Sequence, residues 1–198
     1  MTQKNHFQIK KEIIFLFIAS FLSAATFAQT NVKETLIKSK SIGNVSLLQN
    51  INELKKNTSW TVKKTSIQIE GEEQPSYKIT ENGSTIFELK PEYNDNTHKF
   101  TNRIGEIKTT SVKFKTASNI GIKSTISDFI KAYPQYKLWY GYEGDVFGIE
   151  TPLLPNVQFE IDGKGFKGSK QHLIDTNTGV LKLSDFAKTT KIIAVRVF

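Results

Sequence analysis

The sequence predicts an α+β protein made of two tandem helix-plus-antiparallel-meander units, with the helices packed on one face of a mostly antiparallel sheet. The pattern Ile-Gly-x-x-Ser occurs twice, starting at Ile42 and at Ile120, an offset of 78 residues. Each occurrence precedes an apolar stripe at helical spacing and then a series of alternating, β-branched strands. Each half ends on a basic apolar strand, at 112–114 and at 195–198. A repeat of this length suits one helix and about four antiparallel strands.

The first 28 residues have the pattern of a secretory signal peptide. Three lysines form a basic n-region, residues 13–22 an apolar segment and residues 23–28 a small-residue end. The apolar segment is shorter than the ~20 residues of a membrane-spanning helix. We therefore expect cleavage near Ala28–Gln29, a periplasmic or secreted protein and no stable membrane insertion after cleavage; a retained single-span anchor is the alternative. Removing three lysines and one glutamate lowers the net charge from +8 to +6.

The domain organisation follows from what remains after the leader. Residues 29–41 are polar and weakly patterned, and we expect a flexible lead-in. The first α+β unit is assigned to 42–118 and the second to 119–198; the alternative is one domain over 42–198 with a shared core. The chain contains no cysteine. This excludes a disulfide scaffold and any thiolate nucleophile or metal site, so stability must come from burial and hydrogen bonds.

The first unit is predicted to contain one helix and four strands. Ser46 is the expected helix cap, with Ile51 and Leu54 on the buried side. An Asn-Gly pair at 82–83 predicts a tight hairpin turn. Segments 70–76 and 91–102 are predicted loops. The predicted strands are 60–69, 77–80, 85–90 and 104–114.

The second unit is predicted to repeat this order. Ser124 is the expected cap of its helix, with Asp128 in the first turn, where the helix dipole stabilises a carboxylate. Pro134 ends the helix, and residues 162–180 form a glycine-rich, charged excursion. The expected buried stripe comprises Ile126, Phe129 and Ile130. The predicted strands are 136–142, 146–151, 157–161 and 191–198.

This order of elements, with a Gly-x-x-Ser helix start in both halves, resembles the tandem-repeat secreted proteins of the β-lactamase-inhibitor-protein class. More loosely, it resembles the small envelope lipoproteins of outer-membrane assembly, which place a short helix pair on a sheet. The resemblance covers most of residues 42–198. It implies helices on one sheet face and a second face that is free to bind. Unlike those proteins, this chain has neither a disulfide nor a lipidated cysteine.

The basic balance of the chain does not predict nucleic-acid binding. Its lysines alternate with Thr, Ser and apolar residues, as at 108–115. This alternation is typical of the solvent face of a half-buried strand. An exported protein meets acidic lipids and polysaccharides, so attraction to an acidic partner is the expected consequence of the charge.

The cofactor and metal motifs are incomplete. Residues 163–168 match Gly-x-Gly-x-x-Gly, but the segment that follows is too short and polar for a pyrophosphate-binding helix. We expect a flexible basic loop there, with Lys164 and Lys167 available to anions. Residues 175–179 resemble the start of a calcium loop but lack its later bidentate glutamate. His98 and His172 lie in polar loops outside any nucleophile motif. We expect no cofactor, no metal and no catalytic residue.

The segment 137–143, Lys-Leu-Trp-Tyr-Gly-Tyr-Glu, is the strongest candidate recognition surface. Strand alternation divides its side chains between two faces. One face carries Leu138, Tyr140 and Tyr142, and the other carries Lys137, Trp139 and Gly141. One face must pack on the helix, and burial of both is the alternative. Rigid Tyr and Trp side chains are favoured at recognition interfaces. The candidate binding residues are Trp139, Tyr140, Tyr142, Lys137, Lys164 and Lys167.

Three functional hypotheses follow from these features. The first is an exported, non-enzymatic binding module that recognises an unknown protein or an envelope polysaccharide through a sheet face and hairpins. The second is a small glycan-active hydrolase, because carboxylates beside aromatic rings can hold a sugar and protonate its leaving oxygen; its residues would be Glu143, Asp145 and Glu150. The third is a structural envelope protein without a discrete ligand.

Overall fold

The computed structural model describes residues 34–69, 71–142, 144–176 and 179–198. Residues Leu36–Phe198 form one compact unit. The predicted signal peptide over 1–28 and the first part of the predicted lead-in lie outside the described residues. None of the helices in the described part of the chain has the length and apolarity needed to cross a membrane.

The fold is mostly β, with one large and one small antiparallel sheet. The small sheet contains β1 (Ile37–Lys38), β2 (Ser41–Ile42) and β3 (Val45–Ser46). The strands of the large sheet are β4 (Trp60–Ile69), β5 (Glu72–Glu81), β6 (Ser84–Asn94), β7 (Lys99–Thr109), β8 (Lys137–Gly141), β9 (Val146–Glu150), β10 (Val157–Ile161), β11 (Val180–Leu181) and β12 (Ile192–Val197). The helices are α1 (Ile126–Ala132) and α2 (Lys170–Asp175), and 3₁₀ turns occupy Ile51–Lys56, Gly163–Gly165 and Leu183–Asp185.

The nine strands of the large sheet are joined at its centre by β12. The strand order is β11-β8-β9-β10-β12-β7-β6-β5-β4, and neighbouring strands run antiparallel. The meander β4–β7 and the meander β8–β10 therefore lie on opposite sides of β12. Val197 is paired with Val157 of β10 and with Ile107 of β7. Both halves of the chain thus contribute to one continuous sheet.

The predicted architecture of two α+β helix-plus-meander units is wrong, because no α-helix begins at Ser46. Ser46 belongs to β3, and Leu48 has a left-handed φ of 64°. The Asn50 side chain then accepts a hydrogen bond from the Asn52 amide at 2.9 Å and starts a 3₁₀ turn. Ile51 and Leu54 in that turn are buried. Their spacing of three residues fits a 3₁₀ turn as well as an α-helix, which is why the pattern misled.

The two Ile-Gly-x-x-Ser segments also have different structures. Gly43 has a φ of 59° in the turn between β2 and β3. Gly121 has no positive φ, and a Cβ built on it would overlap the carbonyl oxygen of Phe114. The glycine of this motif therefore allows a turn in the first segment and a close backbone contact in the second.

Local strand and turn signals were more accurate. Strands β4 and β10 have the predicted bounds. Asn82 and Gly83 connect β5 to β6 with φ values of 51° and 77°, the conformation of the predicted tight turn. The predicted loops 70–76 and 91–102 are shorter than expected because the strands extend into them. Pro75 lies within β5, ahead of the part of that strand that pairs with β6, so its missing N–H breaks no bond on that side.

One face of the large sheet is covered by the short helices, the 3₁₀ turns and the small sheet. Ile126 and Phe129 of α1 are buried, and the Phe129 ring meets the Phe159 ring of β10 edge-on at 5.1 Å. The helix begins one residue later than predicted, since Thr125 rather than Ser124 is its N-cap. Thr125 Oγ1 accepts a hydrogen bond from the Asp128 amide at 3.1 Å, and Asp128 Oδ2 accepts one from the Thr125 amide at 2.9 Å. The hydrophobic core lies between these elements and the sheet.

Candidate binding surface on the open sheet face

The opposite face of the sheet is polar, and the strand register aligns its side chains. Glu88 is paired with Lys108, Lys108 with Arg196, and Arg196 with Gln158. These residues alternate with buried ones such as Val195, so they point away from the core. We call the face that carries Glu88, Lys108, Arg196 and Gln158 the open face.

A network of ion pairs, which we call the charge network, fixes the centre of the open face. Arg196 donates through Nε and Nη2 to the two Glu106 oxygens at 3.1 and 2.9 Å. Lys90 Nζ donates to Glu106 Oε2 at 3.0 Å. Lys108 Nζ donates to both Glu160 oxygens at 2.8 Å, and Arg196 Nε lies 3.9 Å from Glu160. The guanidinium is therefore held in one orientation by two carboxylates.

The electrostatics of this network keep its central pair charged. Burial alone raises the pKa of Glu106, but hydrogen bonds and charge from Arg196 and Lys90 outweigh it, so the pKa lies below the ordinary value of 4.5. Burial alone lowers the pKa of Arg196, but the hydrogen bond and charge of Glu106 raise it overall. The bidentate pair is thus a fixed, ionised feature of the open face near neutral pH.

Trp139 is the large aromatic side chain beside this network. It lies on β8 directly opposite Gly148 of β9. A Cβ built on Gly148 would overlap the indole, and one built on Gly141 would lie 3.2 Å from its Cζ3 atom. The ring therefore rests over the Gly148 backbone, in space that only a glycine leaves. The indole Nε1 is buried without a hydrogen-bond partner in the described part of the chain, so this ring is positioned by packing.

A shallow cavity of about 430 Å³ connects the indole to the charge network. Trp139 forms one wall, and Gln158 and Arg196 form the polar side. The full lining comprises Trp139, Gly141, Tyr142, Gly144, Val146, Gln158 and Arg196. Its volume falls in the lower range of small-molecule sites.

The predicted aromatic residues divide between the core and this cavity. Tyr140 is buried, and its hydroxyl donates to Asp145 Oδ1 at 2.7 Å. Tyr142 follows the end of β8; its ring meets the Tyr140 ring edge-on at 5.2 Å, and the residue also lines the cavity. Its hydroxyl donates to the Leu173 carbonyl at 3.3 Å. Trp139 and Tyr142 thus both contribute to the cavity lining, while the Tyr142 ring packs on Tyr140, which lies in the core.

The predicted lysines lie outside this cavity. Lys137 is on the open face of β8 and pairs with Glu150 at 3.9 Å. Lys164 and Lys167 are exposed in the segment that follows β10, and Lys167 Nζ donates to the Ser184 carbonyl at 3.3 Å. These two side chains do not line the cavity beside Trp139.

The carboxylates considered for a hydrolase do not form an acid–base pair in the described residues. Glu143 lies outside the described residues. Asp145 accepts a hydrogen bond from Lys170 at 2.7 Å, which with the Tyr140 hydroxyl lowers its pKa. A glycosidase acid needs the opposite shift, because it must be protonated to donate. Glu150 forms an ion pair with Lys137 on the neighbouring strand β8. No group of three or more His, Asp or Glu side chains in the described ranges is placed to hold a metal ion.

Sequence reasoning missed Arg196, Gln158, Glu106 and Glu160. Each is a polar residue between non-polar neighbours in a strand, as in Val195-Arg196-Val197. That alternation predicts the solvent face of each strand, but it cannot show which strands are neighbours. Arg196 and Glu106 are 90 residues apart in the chain, and only the sheet order brings them together.

Fold and surface together define a class: an antiparallel β-sheet protein with one face covered by short helices and the other face open. The chain is similar to the uncharacterised protein yfeY from Escherichia coli, whose crystal structure aligns with a TM-score of 0.56 at 10% identity, covering 82% of this chain and 99% of that chain. At this identity the similarity shows the fold alone. No protein family model and no curated protein matches the chain.

Proposed function

We propose that this protein is an exported, non-enzymatic binding module that holds a linear polysaccharide of the cell envelope on its open face. The observation that carries the proposal is the Trp139 indole, which rests over Gly148 beside Arg196 and Gln158. The cavity they form is small and shallow, which suits a sugar ring better than a protein side-chain cluster.

The chemistry of the cavity matches the two surfaces of a sugar. The faces of a sugar ring present C–H groups, and its edge presents hydroxyls. The indole offers a rigid apolar surface for the C–H groups. Gln158 offers both donors and acceptors, and Arg196 has donors beyond the two that bind Glu106. Because the charge network already fixes Arg196, its ordering adds little entropic cost to binding.

The charge of the chain favours an acidic polysaccharide. With the predicted leader removed, three lysines and one glutamate are lost and the net charge falls from +8 to +6. A positive protein accumulates near a polyanion and associates with it faster. The peptidoglycan of the cell wall has linear glycan strands and peptide carboxylates, and it is the envelope polymer that we select as the probe.

The test is co-sedimentation of the protein, purified after export, with peptidoglycan sacculi. Trp139→Ala should weaken binding at least about tenfold, or about 1.4 kcal/mol, because the apolar platform is lost. Tyr93→Ala is the matched control: Tyr93 is an aromatic residue, 47% exposed, on β6 and outside the cavity. Circular dichroism checks that both variants fold. Equal binding by wild type and Trp139→Ala would contradict the proposal.

A second variant tests whether binding depends on where the indole lies, and not only on its presence. Gly148→Ala keeps every aromatic residue but places a Cβ where the Trp139 ring now lies. The ring must move, so we expect binding to fall with the Trp fluorescence spectrum altered. Unchanged binding in this variant would show that the ring position over Gly148 is irrelevant.

A further inference from the structure

A second cavity lies beside the first, at the end of the sheet where β8 and β10 begin and β9 ends. Its volume is about 580 Å³. Gln158 lines both cavities, so the two are neighbours on either side of this side chain. The second cavity is also lined by Lys137 and Glu150, the ion pair on the open face beside Trp139.

The walls of the second cavity have the same two kinds of surface as the first. Prolines 134, 152 and 155 form a stiff apolar rim, because each fixes its own φ. Tyr136 is half-buried, and Phe198 is 46% exposed and lines the cavity. Lys137, Glu150 and Gln158 supply charged and polar groups at the edge. An aromatic surface with polar groups at its edge again suits a sugar ring.

The adjoining walls of the two cavities are close together. Lys137 and Trp139 are two residues apart on the same face of β8, a separation of about 7 Å along the strand. Lys137 lines the second cavity and Trp139 the first, so one polymer chain can extend across this short gap. A ligand held at Trp139 can therefore continue past Gln158 toward Phe198.

Resting on the proposed function, we infer that the two cavities are subsites for successive units of one linear polysaccharide chain. Trp139 holds one unit, the exposed Phe198 ring holds another, and Gln158 contacts the chain between them. The protein then recognises an extended glycan strand rather than a single sugar or a chain end.

The experiment measures affinity against chain length by titration calorimetry. The probes are N-acetylglucosamine and the disaccharide and tetrasaccharide released from peptidoglycan glycan strands. Wild type should bind the tetrasaccharide at least about tenfold more tightly than the monosaccharide, since a second subsite adds contacts worth about 1.4 kcal/mol or more. Phe198→Ala should lose most of this gain and bind the monosaccharide as wild type does.

The matched control is Leu153→Ala. Leu153 is 62% exposed in the same loop region but does not line the cavity, so its variant should keep the full gain. A gain that persists undiminished in Phe198→Ala overturns the second subsite. No gain with chain length, while sacculi still require Trp139, overturns the second subsite and leaves the proposed function intact. Failure of wild type to bind both sacculi and fragments overturns the proposed function and this inference with it.

Discussion

At the residue scale, Arg196 and Glu106 determine the shape of the open face. Their side chains are 26% and 13% exposed, and they form a bidentate pair. Removing both charges from water is costly, and the pair recovers that cost only while it is complete. Loss of one partner would leave a carboxylate or a guanidinium largely buried with too few bonds.

We predict that Arg196→Met destabilises the protein by about 3 kcal/mol, because Glu106 keeps only Lys90 as its cationic partner. Urea unfolding followed by circular dichroism measures the change. The control is Lys137→Met, which removes a looser pair at 3.9 Å with side chains 57% and 34% exposed, and it should stay within about 0.5 kcal/mol of wild type. Equal stability of the two variants would contradict this account of the charge network.

The same pair predicts how stability depends on pH. The pKa of Glu106 lies below its ordinary value of 4.5 in the folded protein. Between the folded pKa and the ordinary pKa of the unfolded chain, the unfolded chain therefore binds more protons than the folded one. The stabilisation is therefore complete above about pH 4.5 and is lost as pH falls through the folded pKa. Urea unfolding of wild type and Glu106→Gln should show a smaller loss with acidification in the variant. Parallel curves would show that Glu106 does not contribute to the acid sensitivity.

At the element scale, the hairpin between β5 and β6 depends on its turn. Asn82 and Gly83 both have positive φ, and a Cβ on Gly83 would meet no atom within 4 Å. A substitution at Gly83 is therefore a test of backbone conformation alone.

We predict that Gly83→Ala costs about 1 kcal/mol, because a residue with a Cβ is strained in the left-handed region. Asn82→Gly should change stability by less than about 0.5 kcal/mol, since glycine also adopts this conformation. Thermal and urea unfolding of the two variants provide the comparison. If the alanine variant were as stable as the glycine variant, the turn would have to adopt another type.

The elements show which parts of the fold were predictable. Strand β4 and the Asn82–Gly83 turn depend on local signals, namely alternation and turn chemistry, and both were predicted correctly. The segment at Ile51 and Leu54 has a spacing that fits two kinds of helix, and the wrong one was chosen. The sheet order was not predictable by local signals, because β12 pairs with β7 across many intervening residues. For the same reason Trp139 was found from the sequence and Arg196 was not.

At the scale of the whole molecule, the central position of β12 makes the sheet one structure. The protein has two tryptophans, Trp60 on the outer strand β4 and Trp139 on β8. They lie in the two meanders on opposite sides of β12. Each is therefore a reporter of its own half of the sheet.

We predict that, for Trp60→Phe and for Trp139→Phe alike, the urea midpoint measured by fluorescence equals the midpoint measured by circular dichroism on the same variant. In each variant the remaining tryptophan reports one half of the sheet, and a shared sheet unfolds cooperatively. Fluorescence and circular dichroism midpoints that differ within a variant would show that the halves are separate folding units.

The position of β12 also has a consequence for synthesis. Residues 192–197 follow all the other strands in the chain, yet they lie between β10 and β7. Until these residues have been made, β7 and β10 have no partner on their facing edges, and an unpaired edge is a site for pairing with other chains. A chain that stops short of residue 192 therefore leaves two strand edges open to pairing with other chains, so the sheet is protected from edge-to-edge aggregation only when β12 is in place.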